Sequence, residues 1–443
     1  MKKILLYTLL VCAFVTFTAC RGGNPNLEAE QMQTIETVEE HTSEKETEVI
    51  QEDVSDEGKE VSELPEILSM SQTYVTQYEW QDDIWLLYSE HSYIEMWENS
   101  EQYPEIDHVL SEIAGLQTHT MDDEADNILS FAQEIMDVNA PDFETQVSTL
   151  DVQVRRADSV AVSLLADSYA DYGFIEDFRG MWGSNYDTQT GEQLLLSDVI
   201  LDMEPIPGIV LKELNNHIWA GDFYSETVIE DYFRNTSEEN ISWTLDYNGV
   251  TFYFGDGEIS EPGNGRQTAT VSFAEYPELF DEKYMKVPEA YIVRLPLDQS
   301  YFTDLNSDGT LEELNCTGFY NQTDRFYSKF GVYTDTDGYY HYEELFAYDF
   351  QPYYVKTEDG NHYIYVFCEE SEGGNRQMML VVYDVNGGSF SRVGDMNIAP
   401  AYIPSDMFVL PLDPNNMLMD NYDSLAQDSE VYMVGDDGMP VKK

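Results

Sequence analysis

Trp243-Thr244-Leu245-Asp246-Tyr247-Asn248-Gly249-Val250-Thr251-Phe252-Tyr253-Phe254 is the stretch that decides the fold. Trp243, Leu245 and Tyr247 recur at every second position, and so do Val250, Phe252 and Phe254. A period of two is the pattern of a strand with one buried face. Asn-Gly between two such runs specifies a hairpin with a two-residue turn. That turn sets Tyr247 against Val250, Leu245 against Phe252 and Trp243 against Phe254. All six side chains then share one face, which an apolar layer must cover.

Both directions along the chain supply that layer. Downstream, Ala269, Val271 and Phe273, then Tyr291, Val293 and Leu295, read as further strands. Upstream, Ile206, Ile209, Val210, Leu214 and Ile218 make an amphipathic helix, and Thr227–Phe233 another. Ser197-Asp198 can cap a short helical turn. From Asp151 the period is again two: Val152 and Val154, then Val160, Val162 and Leu164, with a turn at 185–192. Before Asp151, runs at Tyr74–Trp80, Ile84–Tyr88 and Tyr93–Trp97 predict strands. Pro104 opens a helix with Ile106, Val109, Leu110 and Ile113 on one face. A second helix is predicted over Met121–Val138, carrying Ile128, Phe131, Ala132 and Ile135. The fold class that follows is α+β, a mainly antiparallel sheet packed by helices.

Beyond Leu297 the chain reads as nearly all β. Tyr- and Phe-rich runs alternate with Gly, Asp and Asn turns up to residue 400, a meander of one or two blade-like sheets too short for a closed propeller. Residues 401–443 carry little periodicity and read as a C-terminal tail, frayed over Asp436–Lys443.

The start of the chain carries a different kind of signal. Lys2 and Lys3 precede an apolar run from Ile4 to Phe17, then Thr18-Ala19-Cys20. That run is too short to span the hydrocarbon core, so residues 1–20 read as a signal peptide. Small residues before Cys20 suit a lipoprotein signal peptidase, making Cys20 the lipidation site and the membrane anchor. No cytoplasmic arm is expected ahead of it. Residues 21–66 contain no aromatic residue and are rich in Glu, Thr and Ser, the composition of a disordered acidic linker. The organisation read from sequence is therefore a signal peptide (1–20), a linker (21–66), a small α+β domain (67–150), a second α+β domain (151–297), the β-meander (298–400) and the tail (401–443). The folded body is expected on the extracytoplasmic face of the cell membrane.

With 86 acidic against 21 basic residues, the formal net charge is −65. Nucleic acid needs clustered Lys and Arg and is excluded as a partner; anionic lipid surfaces are disfavoured for the same reason. Two readings remain: a surface charged for solubility, or one that meets cations or a basic protein. Cys316 and Cys368 lie in strand-like runs. They form either a disulfide outside the cell or two separate buried thiols.

Several features resemble a known family. They are the strand pair from Val160, Tyr186-Asp187-Thr188-Gln189-Thr190-Gly191 with Leu196-Ser197-Asp198, the helix after Pro205, and the paired aromatics of the hairpin with Glu258-Ile259. Together these are similar to the extracytoplasmic domain of the anti-sigma-V factor RsiV and the peptidoglycan deacetylase PdaC. Tyr103-Pro104-Glu105-Ile106 resembles the small domain that accompanies it. The resemblance spans roughly residues 70–297. It implies a domain that senses or binds an envelope ligand, with lysozyme or a cell-wall component as candidates. The loops Ile175–Gly180 and Ser260–Gly265 depart from the family's Gly-rich, His-containing pattern, so its ligand contacts do not transfer.

Catalytic motifs are absent from the sequence: no G-x-S-x-G, H-E-x-x-H, P-loop or Cys-x-x-Cys occurs. A non-enzymatic binding protein is the leading expectation, with a cell-wall-acting enzyme or accessory that uses unidentified carboxylates as the alternative. One constellation points to a metal. Asp304-Leu305-Asn306-Ser307-Asp308-Gly309-Thr310-Leu311-Glu312 places oxygen ligands at alternate positions with Gly at the sixth, the logic of a calcium loop. Asp304, Asn306 and Asp308 would give side-chain oxygens, Thr310 its carbonyl, and Glu312 would complete a structural Ca2+ site. The competing reading is an Asp/Asn/Gly turn.

Overall fold

In the computed structural model, the described residues are 64–443 apart from 82–83, 140–142, 172–177, 217–222, 226, 262, 322–325, 370–377, 404–405 and 423–428. The signal peptide, Cys20 and the linker to residue 63 lie outside them, as does part of each family-divergent loop. Leu64–Lys443 is one compact unit.

The hairpin forms, with its turn one residue earlier than predicted. Strands β6 (Trp243–Leu245) and β7 (Gly249–Phe254) pair Leu245 with Val250 and Trp243 with Phe252, and the turn is Tyr247-Asn248. Gly249 serves close approach rather than left-handed backbone. A Cβ there would lie 2.1 Å from the Val271 carbonyl oxygen of β8 (Gln267–Ser272). Five of the six predicted side chains do share one core. Trp243, Leu245, Val250, Phe252 and Phe254 pack against Ile206, Val210 and Leu214 of a helix over Ile206–Asn216, and against Ile229 of a helix over Val228–Asn235. The sixth leaves it. Tyr247 enters a different core, stacks on Tyr291 at 4.2 Å, and its hydroxyl accepts the Ala157 N–H at 3.1 Å. Asn248 follows, its amide bonding Tyr301, Phe302 and Tyr291. The turn is thus the junction between two cores.

Strands β1 (Met70–Gln81), β2 (Ile84–Met96), β3 (Gln146–Ala157), β4 (Ala161–Asp171) and β5 (Phe178–Asp187) lie side by side, with only β2 and β3 parallel. The two short strands predicted over 84–97 are one. Its interruption by Ser89, His91 and Ser92 is burial of polar residues, with Ser92 Oγ accepting the Val152 N–H at 2.8 Å. The two helices predicted over 104–138 are also one, α1 (Pro104–Asn139). No proline interrupts it, and its single glycine, Gly115, is tolerated. Its first half enters the core with Leu150, Val152 and Val154, and its second half packs Ala132 and Met136 on Leu86. The short turn Leu196–Val199 follows β5, and its Asp198 carboxylate accepts the Leu195 N–H at 2.8 Å.

Two antiparallel meanders come next. One comprises β10 (Ser300–Thr303), β11 (Glu312–Asn321), β12 (Phe326–Thr334) and β13 (Tyr339–Ala347). The other comprises β14 (Asp349–Lys356), β15 (His362–Glu369), β16 (Met378–Asp384) and β17 (Ser391–Met396), with β9 (Tyr291–Arg294) added at the β14 edge. They share one core of Leu314, Cys316, Phe330 and Val332 with Ile364, Val366, Cys368 and Val381. Cys316 and Cys368 are buried thiols not joined by a disulfide, the second of the two readings.

The described residues of 401–443 form strands rather than a tail. Strand β20 (Met407–Val409) adds to the edge of β1, pairing Val409 with Ser71. Strands β21 (Met417–Asn421), β22 (Ser429–Val434) and β23 (Pro440–Lys442) form a sheet with Ile398–Pro400. Its interior joins Met417, Met419 and Tyr432 to the second meander. These strands have six residues or fewer, too short to show a period. The elements are mostly strands with few helices, so the α+β reading holds only in part.

Candidate metal loop and anionic cleft

The loop between β10 and β11 is pinned by Leu305, which is buried in the meander core. Around it the chain wraps as the spacing requires. Gly309 takes φ 88° and Ser307 φ 61°, a region that costs glycine nothing. The Asp304 carboxylate accepts the Asp308 and Gly309 N–H groups at 3.1 and 2.9 Å. Asn306 Oδ1 accepts the Asp308 N–H at 2.8 Å, and Asp308 Oδ1 the Thr310 N–H at 2.8 Å. Glu312 closes the loop, with Oε2 accepting the Leu305 N–H at 2.6 Å and Oε1 the Asn306 amide at 2.7 Å.

Three of the five predicted ligands converge: one oxygen each from Asp304, Asp308 and Glu312 lies within 4.8 Å of the others. Asn306 joins through Glu312, and Thr310 through its N–H to Asp308. Burial, then repulsion from Asp304, Asp335 and Asp308, pushes the Glu312 carboxyl above its usual range. The hydrogen bond from Thr310 N–H holds exposed Asp308 below its own. Hard carboxylate and amide oxygens on a wrapped loop suit Ca2+.

A second feature was not visible in the sequence. A half-open cleft of about 510 Å³ lies among residues 64–69 and 97–99, the 288–290 turn, Glu358, residues 409–418 and Val431. Ile67, Leu68, Leu410, Leu412 and Leu418 contribute to its lining, but most of its exposed surface is polar. Its rim carries Glu66, Glu98, Glu289, Glu358 and Asp413, and no Lys or Arg lines it among the described residues. Asn415 ties two of these acids together: its N–H reaches Asp413 Oδ1 at 2.8 Å and its side chain Glu358 Oε1 at 2.8 Å. Burial raises the Asp413 carboxyl above its usual range.

Sequence reading also passed over Arg155-Arg156. Arg155 reaches the Asp246 carboxylate at 3.0 Å, and Asp246 also accepts from Thr244 and Thr251. Arg156 is fully buried, bonding Asp158 at 2.8 Å and the carbonyls of Tyr284 and Lys286 at 2.7 and 2.6 Å. Two adjacent arginines inside an apolar strand pattern were the available signal. Neither is free to meet an anionic ligand.

No family model matches the sequence, and no curated protein does. Solved structures do. A protein of Bacteroides fragilis, described as a member of the DUF3298 family, is 11% identical. The match covers 50% of this chain and 96% of that one, at a TM-score of 0.35. A DUF3298 family protein of Pseudomonas aeruginosa is 13% identical, with 50% and 98% covered, at a TM-score of 0.33. The structural neighbours are DUF3298 proteins. That is the family of RsiV- and PdaC-like domains, the one the sequence resembles. Half of this chain lies outside the likeness.

Proposed function

We propose that the chain is a non-enzymatic lipoprotein of the cell envelope, anchored through Cys20 on the extracytoplasmic face, whose body binds a cationic ligand. The anionic cleft is the observation that carries this reading. Five carboxylates on a mainly polar lining, with no Lys or Arg in it among the described residues and Lys443 acting on Asp413 from nearby, favour a ligand that is positively charged. A basic protein such as lysozyme, or an amine-bearing cell-wall fragment, fits this chemistry. The 304–312 loop would hold a structural Ca2+.

One observation favours a second reading, a cell-wall-acting enzyme. Asp413, raised by burial, shares Asn415 with Glu358, and glycosidases use two carboxylates held in different protonation states. Incubation of the chain with lysozyme and with soluble peptidoglycan fragments separates the two. Stoichiometric retention without turnover supports binding; product formed at substoichiometric protein overturns it in favour of the enzyme.

A further inference from the structure

The edge of the first meander has properties that the cleft does not explain. Strand β13, nine residues long, pairs with β12 on one side, and among the described residues no strand pairs with the other. Half of an edge strand's N–H and C=O groups point away from the sheet and offer a template for another strand. Folded proteins blunt such edges with Lys or Pro, and Tyr339–Ala347 contains neither.

Its outer face is aromatic. The register places Tyr340, Tyr342 and Glu344 opposite Tyr333, Gly331 and Lys329, on the face away from the core residues Leu345 and Ala347. Phe346 continues that side and is 62% exposed; Tyr342 is 49% exposed and Phe319 of β11 56%. Tyr342 lies directly over Gly331, where a Cβ would come within 2.6 Å of its ring. The Tyr342 ring is 5.7 Å from Phe319 and 5.7 Å from Tyr340.

We propose that β13 accepts an extended polypeptide segment with Lys or Arg at alternate positions, added as a further antiparallel strand. This shares with the functional reading above only the premise that partners are cationic; the surface is a different one. A strand laid beside β13 projects every second side chain over Tyr340, Tyr342, Glu344 and Phe346. That row of rings and a carboxylate matches cationic side chains by cation–π contact and ion pairing. The face already holds one cation this way, Lys329 lying 5.9 Å from the Phe319 ring centre.

The test is fluorescence anisotropy of a labelled nine-residue peptide alternating Arg and Thr, matched to the length of β13, against the chain from residue 21 onward. Tyr342→Ala and Glu344→Lys each weaken binding roughly tenfold with unchanged melting curves, because both side chains are exposed. Glu358→Gln in the cleft leaves it unchanged. N-methylation of alternate peptide residues on the pairing edge abolishes it. Equal affinity for wild type and both β13 variants, or for the N-methylated peptide, overturns strand addition. Loss through Glu358→Gln alone moves the site to the cleft and spares the functional reading. Failure of the peptide to bind at all overturns this proposal, while lysozyme retention still tests the other.

Discussion

The two halves of the body register their strands by different means. From β1 to β8, buried ion pairs sit between layers: Arg155 with Asp246 and Arg156 with Asp158, each at most 3% exposed. In the meanders the pairs are on the surface, as with Arg392 and Glu343 or His341 and Asp337. There the interior is held by ring packing, such as Phe330 on Phe350 at 5.3 Å and Tyr383 on Phe390 at 4.6 Å. A chain with 21 basic residues places its most buried arginines where a hairpin must dock on a second sheet. Where strands follow one another by tight turns, sequence proximity fixes the register, and aromatic packing suffices.

The largest expected effect tests the ionic half. Arg156→Ala strands the fully buried Asp158 carboxylate without its guanidinium. Such losses cost about 3–5 kcal/mol, read as a shift in urea unfolding. A change below about 1 kcal/mol would remove the contrast between the halves.

The next concerns the meanders. Burial, reinforced by Lys356, lowers the His362 pKa to about 4, and its Nδ1 lies 2.7 Å from the Tyr354 hydroxyl. The folded state therefore resists protonation that the unfolded chain accepts near pH 6.5. Stability from this group is complete above that pH and is lost as pH falls toward 4, by no more than about 3 kcal/mol. Carboxyls raised by burial, Glu312 and Asp413 among them, act in the opposite direction. The informative quantity is the difference between wild type and His362→Gln across pH 7 to 4. Parallel profiles would contradict the assignment.

Calcium sharpens the comparison further. Millimolar Ca2+ should raise the melting temperature by the linkage expected for a ligand of the native state, about 2.7 kcal/mol at a hundredfold excess over Kd. Asp308→Ala, at an exposed position, should abolish the rise. The whole body is the object to melt, since β9 and β20 tie the meanders to the rest. Superimposable melts with Ca2+ and with chelator would leave an acidic turn. The smallest effect is at the junction. Tyr247→Phe keeps the stack on Tyr291 and removes the bond to Ala157 N–H, at a cost of about 1 kcal/mol. A neutral result would mean that the ring alone holds the turn.

What was legible in the sequence was local. Trp243, Leu245, Val250, Phe252 and Phe254 declare one face by their spacing, and the 304–312 loop declares its wrap by Gly309. The hairpin turn was misplaced because Gly249 answers to Val271, more than twenty residues away, rather than to its own turn. The cleft was illegible because its walls come from segments far apart in the chain, from residue 64 to residue 431. The strands after residue 400 were missed because each is short and finds its partner far off, as Val409 does in Ser71.

The central claim, binding of a cationic ligand at the anionic cleft, is tested most directly by isothermal titration of lysozyme into the chain from residue 21 onward. The account predicts saturable heat at low salt that weakens steeply as ionic strength rises. It also predicts a loss of roughly tenfold or more in the Glu358→Gln, Asp413→Asn double variant. Absence of binding at low salt, or binding untouched by both salt and the cleft variant, would contradict it.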